Sequence, residues 1–147
     1  MATYADNVDI FKQLINYANE NHIALNINEK SKNDDYPLLI AITQNNIEII
    51  KFLMDYANKN NIILNLNDKN IYGNYPILLA IFNNNIEMVE QIINYANKNN
   101  IILNISEKNN DGYYPLLFAI NNNNIKIVKL IIDYTSTNSI ILKMKKI

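Results

Sequence analysis

Tyr75-Pro76-Ile77-Leu78-Leu79-Ala80-Ile81-Phe82-Asn83-Asn84-Asn85-Ile86 is the stretch that decides the fold. Pro76 suits the first turn of a helix, where its missing N–H costs nothing. From Pro76 to Phe82 no residue is polar. A short helix that is apolar all round must be buried on most sides. Asn83-Asn84-Asn85 stops it, because Asn tolerates the left-handed conformation that ends helices. A second helix is expected to start near Ile86.

The same pattern recurs. Tyr36-Pro37, Tyr75-Pro76 and Tyr114-Pro115 are 39 residues apart. That step also links Ala41, Ala80 and Ala119, then Asn46-Ile47, Asn85-Ile86 and Asn124-Ile125. It links Tyr17, Tyr56, Tyr95 and Tyr134, and Leu25, Leu64, Leu103 and Leu142. A fixed period of this size means a solenoid, in which each unit buries its apolar face on its neighbours. No insertion breaks the step. The chain therefore reads as a single array over 1–147: a partial unit 1–35, units 36–74 and 75–113, and a truncated unit 114–147.

Within a unit, the second helix is amphipathic. Glu48, Lys51, Asp55 and Asn58 form a wet stripe, and Ile47, Ile50, Leu53, Met54 and Ala57 lie opposite. At these spacings Lys51 can pair with Glu48 and Asp55. Ile62-Ile63-Leu64-Asn65-Leu66-Asn67 partly alternates and is rich in β-branched residues, so it reads as extended. A polar turn, Asp68 to Asn74 with Gly73, leads to the next Tyr-Pro. The tyrosines at 17, 56, 95 and 134 border the apolar face and read as a structural ladder. Asn26, Asn65 and Asn104 are expected to hydrogen-bond between neighbouring turns.

Short apolar helix, tight turn, longer amphipathic helix and extended turn resemble the ankyrin repeat in order. The family's Thr-Pro-Leu-His-x-Ala is similar to Tyr36–Ala41, Tyr75–Ala80 and Tyr114–Ala119. Its Gly-His-x-x-Ile-Val-x-x-Leu-Leu resembles Asn85-Ile86-Glu87-Met88-Val89-Glu90-Gln91-Ile92-Ile93, and its Asp-Val-Asn resembles Asn65-Leu66-Asn67 and Asn104-Ile105-Ser106. The resemblance covers essentially the whole chain. It implies an all-α fold: an ankyrin-like α-solenoid of stacked helix-turn-helix repeats with extended, hairpin-like turns. HEAT-type helix pairs have units near this length but lack the Pro-Leu-Leu-x-Ala signature and the extended segment. The ankyrin unit is about 33 residues. The six extra residues here fall at Tyr56-Ala57-Asn58-Lys59-Asn60-Asn61. If all continue the helix, it grows by roughly 9 Å. Tyr and Leu replace the family's Thr and His, which removes the groups that usually tie neighbouring turns together.

The composition excludes much chemistry. The chain has 31 asparagines and 28 isoleucines, with no arginine and no cysteine. Asn, Ile, Lys and Tyr share AT-rich codons, so the asparagine excess alone is weak evidence for a function. Without cysteine there are no disulfides, thiolate metal sites or cysteine nucleophiles. His22 is the single histidine and reads as a surface or packing residue; no second His or Cys completes a zinc site, and a catalytic serine would have no other conventional base. Asp34-Asp35 reads as a solvated turn, and two glycines cannot build a phosphate loop. No cofactor is implied and an enzyme is not expected. A net charge of -1 offers no general field for nucleic acid or an anionic membrane. The Lys143-Met144-Lys145-Lys146 tail reads as a solubilising end. No apolar run approaches the roughly 18 residues of a membrane-spanning helix, and Met1 to Asn16 does not read as a signal peptide. The expected setting is intracellular and cytoplasmic.

What remains is binding. Ankyrin-like arrays bind proteins with their turn tips and the exposed side of their short helices. The positions matching the family's variable sites are Lys32, Asn33, Asp35, Thr43 and Gln44, then Ile71, Tyr72, Asn74, Phe82 and Asn83, then Asn110, Asp111, Tyr113, Asn121 and Asn122. Ile71, Tyr72, Phe82 and Tyr113 stand out as apolar groups where polar ones would serve. Lys30, Lys69 and Lys108 form a row that hints at an acidic partner. The expected function is a non-catalytic scaffold for a protein partner. The alternative is a structural protein, because the array opens and closes mid-unit. Residues 1–7 read as the tail of a first helix and Val8–Ile15 as a second. Either the array continues in a longer protein, or copies stack head to tail into filaments.

Overall fold

The computed structural model describes residues 4–140. The expectations for Leu142 and for the lysine tail lie outside them. Among the described residues there are seven helices and no strand: α1 (Tyr4–Glu20), α2 (Pro37–Thr43), α3 (Ile47–Lys59), α4 (Pro76–Phe82), α5 (Ile86–Lys98), α6 (Pro115–Asn121) and α7 (Ile125–Thr137). Short helices pack in one layer, α2 on α4 on α6. Long helices form the other, α1 on α3 on α5 on α7. One continuous core runs between the layers.

Local chemistry sets every boundary. Tyr36, Tyr75 and Tyr114 are extended, as the residue before proline must be, and each proline opens its helix. Each short helix ends where Asn45, Asn84 or Asn123 takes a positive φ of 52–55°. The next residue caps the long helix: the side chains of Asn46, Asn85 and Asn124 accept from the amides of Ile49, Met88 and Ile127, each at 3.1 Å. The long helices close in the same way. Asn61 and Asn100 adopt φ 55°, and the following amides donate back to Ala57 and Ala96. So four of the six extra residues lengthen the helix, and Asn60-Asn61 end it. His22 occupies this same position in the first unit, at φ 54°, which gives it a structural place.

The N-terminal expectation is corrected. Tyr4 to Glu20 form one helix, with no separate first helix ending at residue 7. Asn7 aligns with the three capping asparagines yet lies inside α1.

Hydrogen bonds tie each unit to the next, and here the substituted Tyr supplies what the missing Thr and His do not. The buried hydroxyls of Tyr36 and Tyr75 donate to the carbonyls of Asp68 and Glu107, at 2.9 and 2.7 Å. Burial pushes both phenols well above their ordinary pKa, so they stay protonated donors. The second tyrosine row works in the opposite direction. The hydroxyls of Tyr56, Tyr95 and Tyr134 accept from the amides of Leu25, Leu64 and Leu103 at 3.0, 3.2 and 2.8 Å. The expected ladder is therefore real for these three, while Tyr17 stands exposed.

The asparagine ladder sits two residues further on than expected. Asn28 donates to the Ile63 carbonyl and accepts from the Asn65 amide; Asn67 does the same with Ile102 and Asn104. Asn26 and Asn65 make local contacts, with the Asn28 amide and with Asp68. At the tips, the Ile71 amide donates to Asn33 and the Asn110 amide to Tyr72. The short-helix ends are tied by Asn83 to the Ile42 carbonyl and Asn122 to the Ile81 carbonyl.

The lysines also look sideways. Lys51 pairs with Glu87 of the next unit, not with Glu48 or Asp55 on its own helix, and Lys12 pairs with Glu48. Lys30 pairs with Asp68 and Lys69 with Glu107, while Lys108, the third of the row, lies over the Tyr114 ring at 5.9 Å. The hydrogen bond from Lys69 holds the Glu107 carboxyl below its ordinary pKa.

Two predictions follow from these ties. Tyr75→Phe should cost about 1 kcal/mol by removing one buried hydrogen bond, and Tyr17→Phe nothing measurable, in urea unfolding of the purified protein. Gly73 and Gly112 both have positive φ, but only at Gly73 would a Cβ meet the next unit, at 2.7 Å from Asn110 Oδ1 and 2.9 Å from its amide nitrogen. Gly112→Ala should cost roughly 1 kcal/mol from backbone strain alone, and Gly73→Ala more than about 2 kcal/mol from strain plus displacement. Equal costs would contradict the close approach of the tips.

Candidate functional site

The short helices present one row of side chains to the core and another to the open side, under the turn tips. In α4, Pro76, Ile77, Leu78, Ala80 and Ile81 are buried, whereas Leu79 is partly exposed and Phe82 largely so. The tip turns, which border this open row, are closed by their own bonds: the Asn70 amide donates to Asn74, and the Asn109 amide to Tyr113. Asn70 and Asn109 also accept, through their side chains, from the amides of Asn74 and Tyr113.

Two adjoining hollows result. One, of about 230 Å³, is lined by Asn74, Leu79, Phe82, Asp111, Tyr113 and Phe118, with Asn109 at its back. Its wall is aromatic. The rings of Tyr113 and Phe118 stack at 4.6 Å and 10°, and Phe82 meets Phe118 edge-on at 5.1 Å. Such pairs add about 0.5–1.5 kcal/mol beyond their buried area and fix the rings in place. The second hollow, of about 310 Å³, is lined chiefly by Asp35, Ile40, Thr43, Gln44, Tyr72 and Leu79. Asn74 and Leu79 belong to both. Together they make one shallow groove along the stack. The charged residues lining it are Asp35 and Asp111.

The structure sorts the sequence candidates. Thr43, Gln44, Tyr72, Asn74, Phe82, Asp111, Tyr113 and Asp35 line the groove. Ile71, Asn121, Lys32 and Asn33 are exposed but line neither hollow. Asn83, Asn122 and Asn110 spend their side-chain amides on the neighbouring unit. Sequence reading missed Ile40, Leu79 and Phe118, which form the groove floor. In a helix with no polar residue, periodicity cannot mark the face that is left open. The one available signal was size: Phe118 stands in a row otherwise filled by Ile40 and Leu79.

The described residues hold no group of three or more His, Cys, Asp or Glu side chains placed to hold a metal. No helix among them is long and apolar enough to cross a membrane.

A family model described as ankyrin repeats, in three copies, matches residues 1–102 and 60–141. Among solved structures, an ankyrin repeat domain from Acinetobacter baumannii AYE superposes with a TM-score of 0.65 at 24% identity. The match covers 88% of this chain and 60% of that one, so this chain spans about three fifths of the solved domain's length. A search of the curated proteins finds no match. With the 39-residue step now seen as stacked helix pairs, and the family model matching across them, the chain belongs to the ankyrin repeat family.

Proposed function

We propose that the protein is a non-catalytic scaffold that binds a protein partner in the groove between its turn tips and short helices. Ankyrin repeats are generally protein–protein interaction modules. The observation that carries this reading is the aromatic cluster of exposed Phe82 and Tyr113 on partly buried Phe118, beside a second hollow lined by Tyr72. Aromatic side chains around an apolar floor are what a partner's apolar anchor residue needs. Leu79 and Asn74 join the hollows, so an extended segment could place one side chain in each. The reading includes an intracellular setting, which rests on the sequence alone.

A second reading, self-assembly through the ends of the stack, is favoured by a separate observation. Ile10, Leu14 and Tyr17 on α1 are exposed, whereas their equivalents one period on, Ile49, Leu53 and Tyr56, are buried. Each of the three on α1 is already about half covered, so covering the rest gains roughly 1 kcal/mol per side chain.

The groove is tested with peptides selected from a random display library on the purified protein. Phe82→Ala and Tyr113→Ala should each weaken the selected peptides about tenfold or more, with circular dichroism unchanged because both side chains are exposed. Peptides that bind the variants as tightly as the native protein would reject the groove as the site.

A further inference from the structure

The side-chain rows that join neighbouring long helices continue to both ends of the described array, and the two ends match. Toward the preceding unit, α3 presents Ile49, Tyr56 and Glu48. Tyr56 reaches the Leu25 amide, and Glu48 pairs with Lys12 at 2.7 Å. Ile49 lies one helical step from Glu48, on the same side as Tyr56, and the two are 9% and 3% exposed. On α1 the equivalents are Ile10, Tyr17 and Asp9, with Ile10 61% and Tyr17 58% exposed.

Toward the following unit, α1 presents Val8, Ile15 and Lys12, and both apolar residues are buried. On α7 the equivalents are Ile125, Ile132 and Lys129, with Ile125 66% and Ile132 47% exposed. One end thus shows the forward half of an inner joint, and the other end shows the backward half.

The charges also match. Inner joints put Lys12 against Glu48 and Lys51 against Glu87. Carried one step further, the equivalent positions hold Glu90 and Lys126, opposite in sign with the order reversed and not ion-paired. Carried past α7, the same rows bring Lys129 toward the position that Asp9 holds on α1. Opposite charges therefore stand at equivalent positions at each step of the row and are ion-paired at the first two, and the step that would join two molecules sets Asp9 against Lys129.

We propose that a second copy of this chain seats its α1 on the outer face of α7, in the register of an inner joint: Ile10 and Tyr17 against Ile125 and Ile132, and Asp9 paired with Lys129. This rests on the self-assembly reading above. The contact is heterologous and does not close on itself, so it propagates into chains of molecules. Among the described residues no short helix precedes α1, so the Ile120 side of α6 is left uncovered by the joint. The contact is smaller than an inner one, and assembly is reversible and concentration-dependent.

Sedimentation velocity on the purified protein, from micromolar to millimolar concentration, tests this. The native chain should associate. Ile10→Glu should abolish association. Asp9→Lys and Lys129→Glu should each weaken it by about threefold or more, the scale of an exposed ion pair, and the double variant Asp9→Lys/Lys129→Glu should restore it. Circular dichroism melts of all four variants should match the native one, since every changed residue is exposed. A monomer at all concentrations overturns both the self-assembly reading and this joint. Association that ignores Ile10→Glu, or that the double variant does not restore, leaves self-assembly standing and overturns this joint.

Discussion

A seven-residue helix is far too short to hold itself together in water, and the three short helices of this protein are each seven residues long. They persist because each packs on a neighbouring short helix and on its own long helix, and because polar side chains bridge to the unit alongside. The tyrosine rows show the principle most clearly. Tyr75 sends its hydroxyl to the carbonyl of Glu107 in the following unit, and Tyr95 receives the amide of Leu64 from the preceding one. Among the described residues the extended segments have no strand partners, so these side chains take the place of a sheet ladder.

Asparagine does the same work elsewhere in the fold. It supplies the positive-φ residue at helix ends, the cap of each long helix, and the amide that crosses to the next unit. Asn85 caps α5 and also donates to Asn45 at 2.9 Å, and Asn124 donates to Asn84 at 2.7 Å. Whatever its genetic origin, the asparagine excess is absorbed by a repeating pattern of turns. With only two glycines available, few other residues could have filled these positions.

The period, the starts of the short helices and the amphipathic face of α3 were legible because they depend on neighbours within a few residues, whereas the continuous α1 was not. Partnerships across units were less so. Lys51 lies a helical turn from both Glu48 and Asp55, yet pairs with Glu87, because the next helix is as near as its own turn and sequence spacing does not show it. The asparagine ladder was assigned to Asn26, Asn65 and Asn104, but Asn28 and Asn67 carry it; in a segment without regular pairing, alternation does not fix which side chain points along the stack. The groove was half legible. Its rim of Tyr72, Phe82 and Tyr113 varied between units, while its floor of Leu79 and Phe118 was hidden inside an unbroken apolar run.

Neighbour-made bonds hold the stack together, and native-state hydrogen exchange reads them directly. The amides of Leu64 and Leu103 lie in extended segments and donate to the hydroxyls of Tyr95 and Tyr134. They should exchange as slowly as amides in the middle of α5, opening only when the stack unfolds. Exchange at the rate of a free chain, with α5 still protected, would show that the units stand without these ties and would contradict the account.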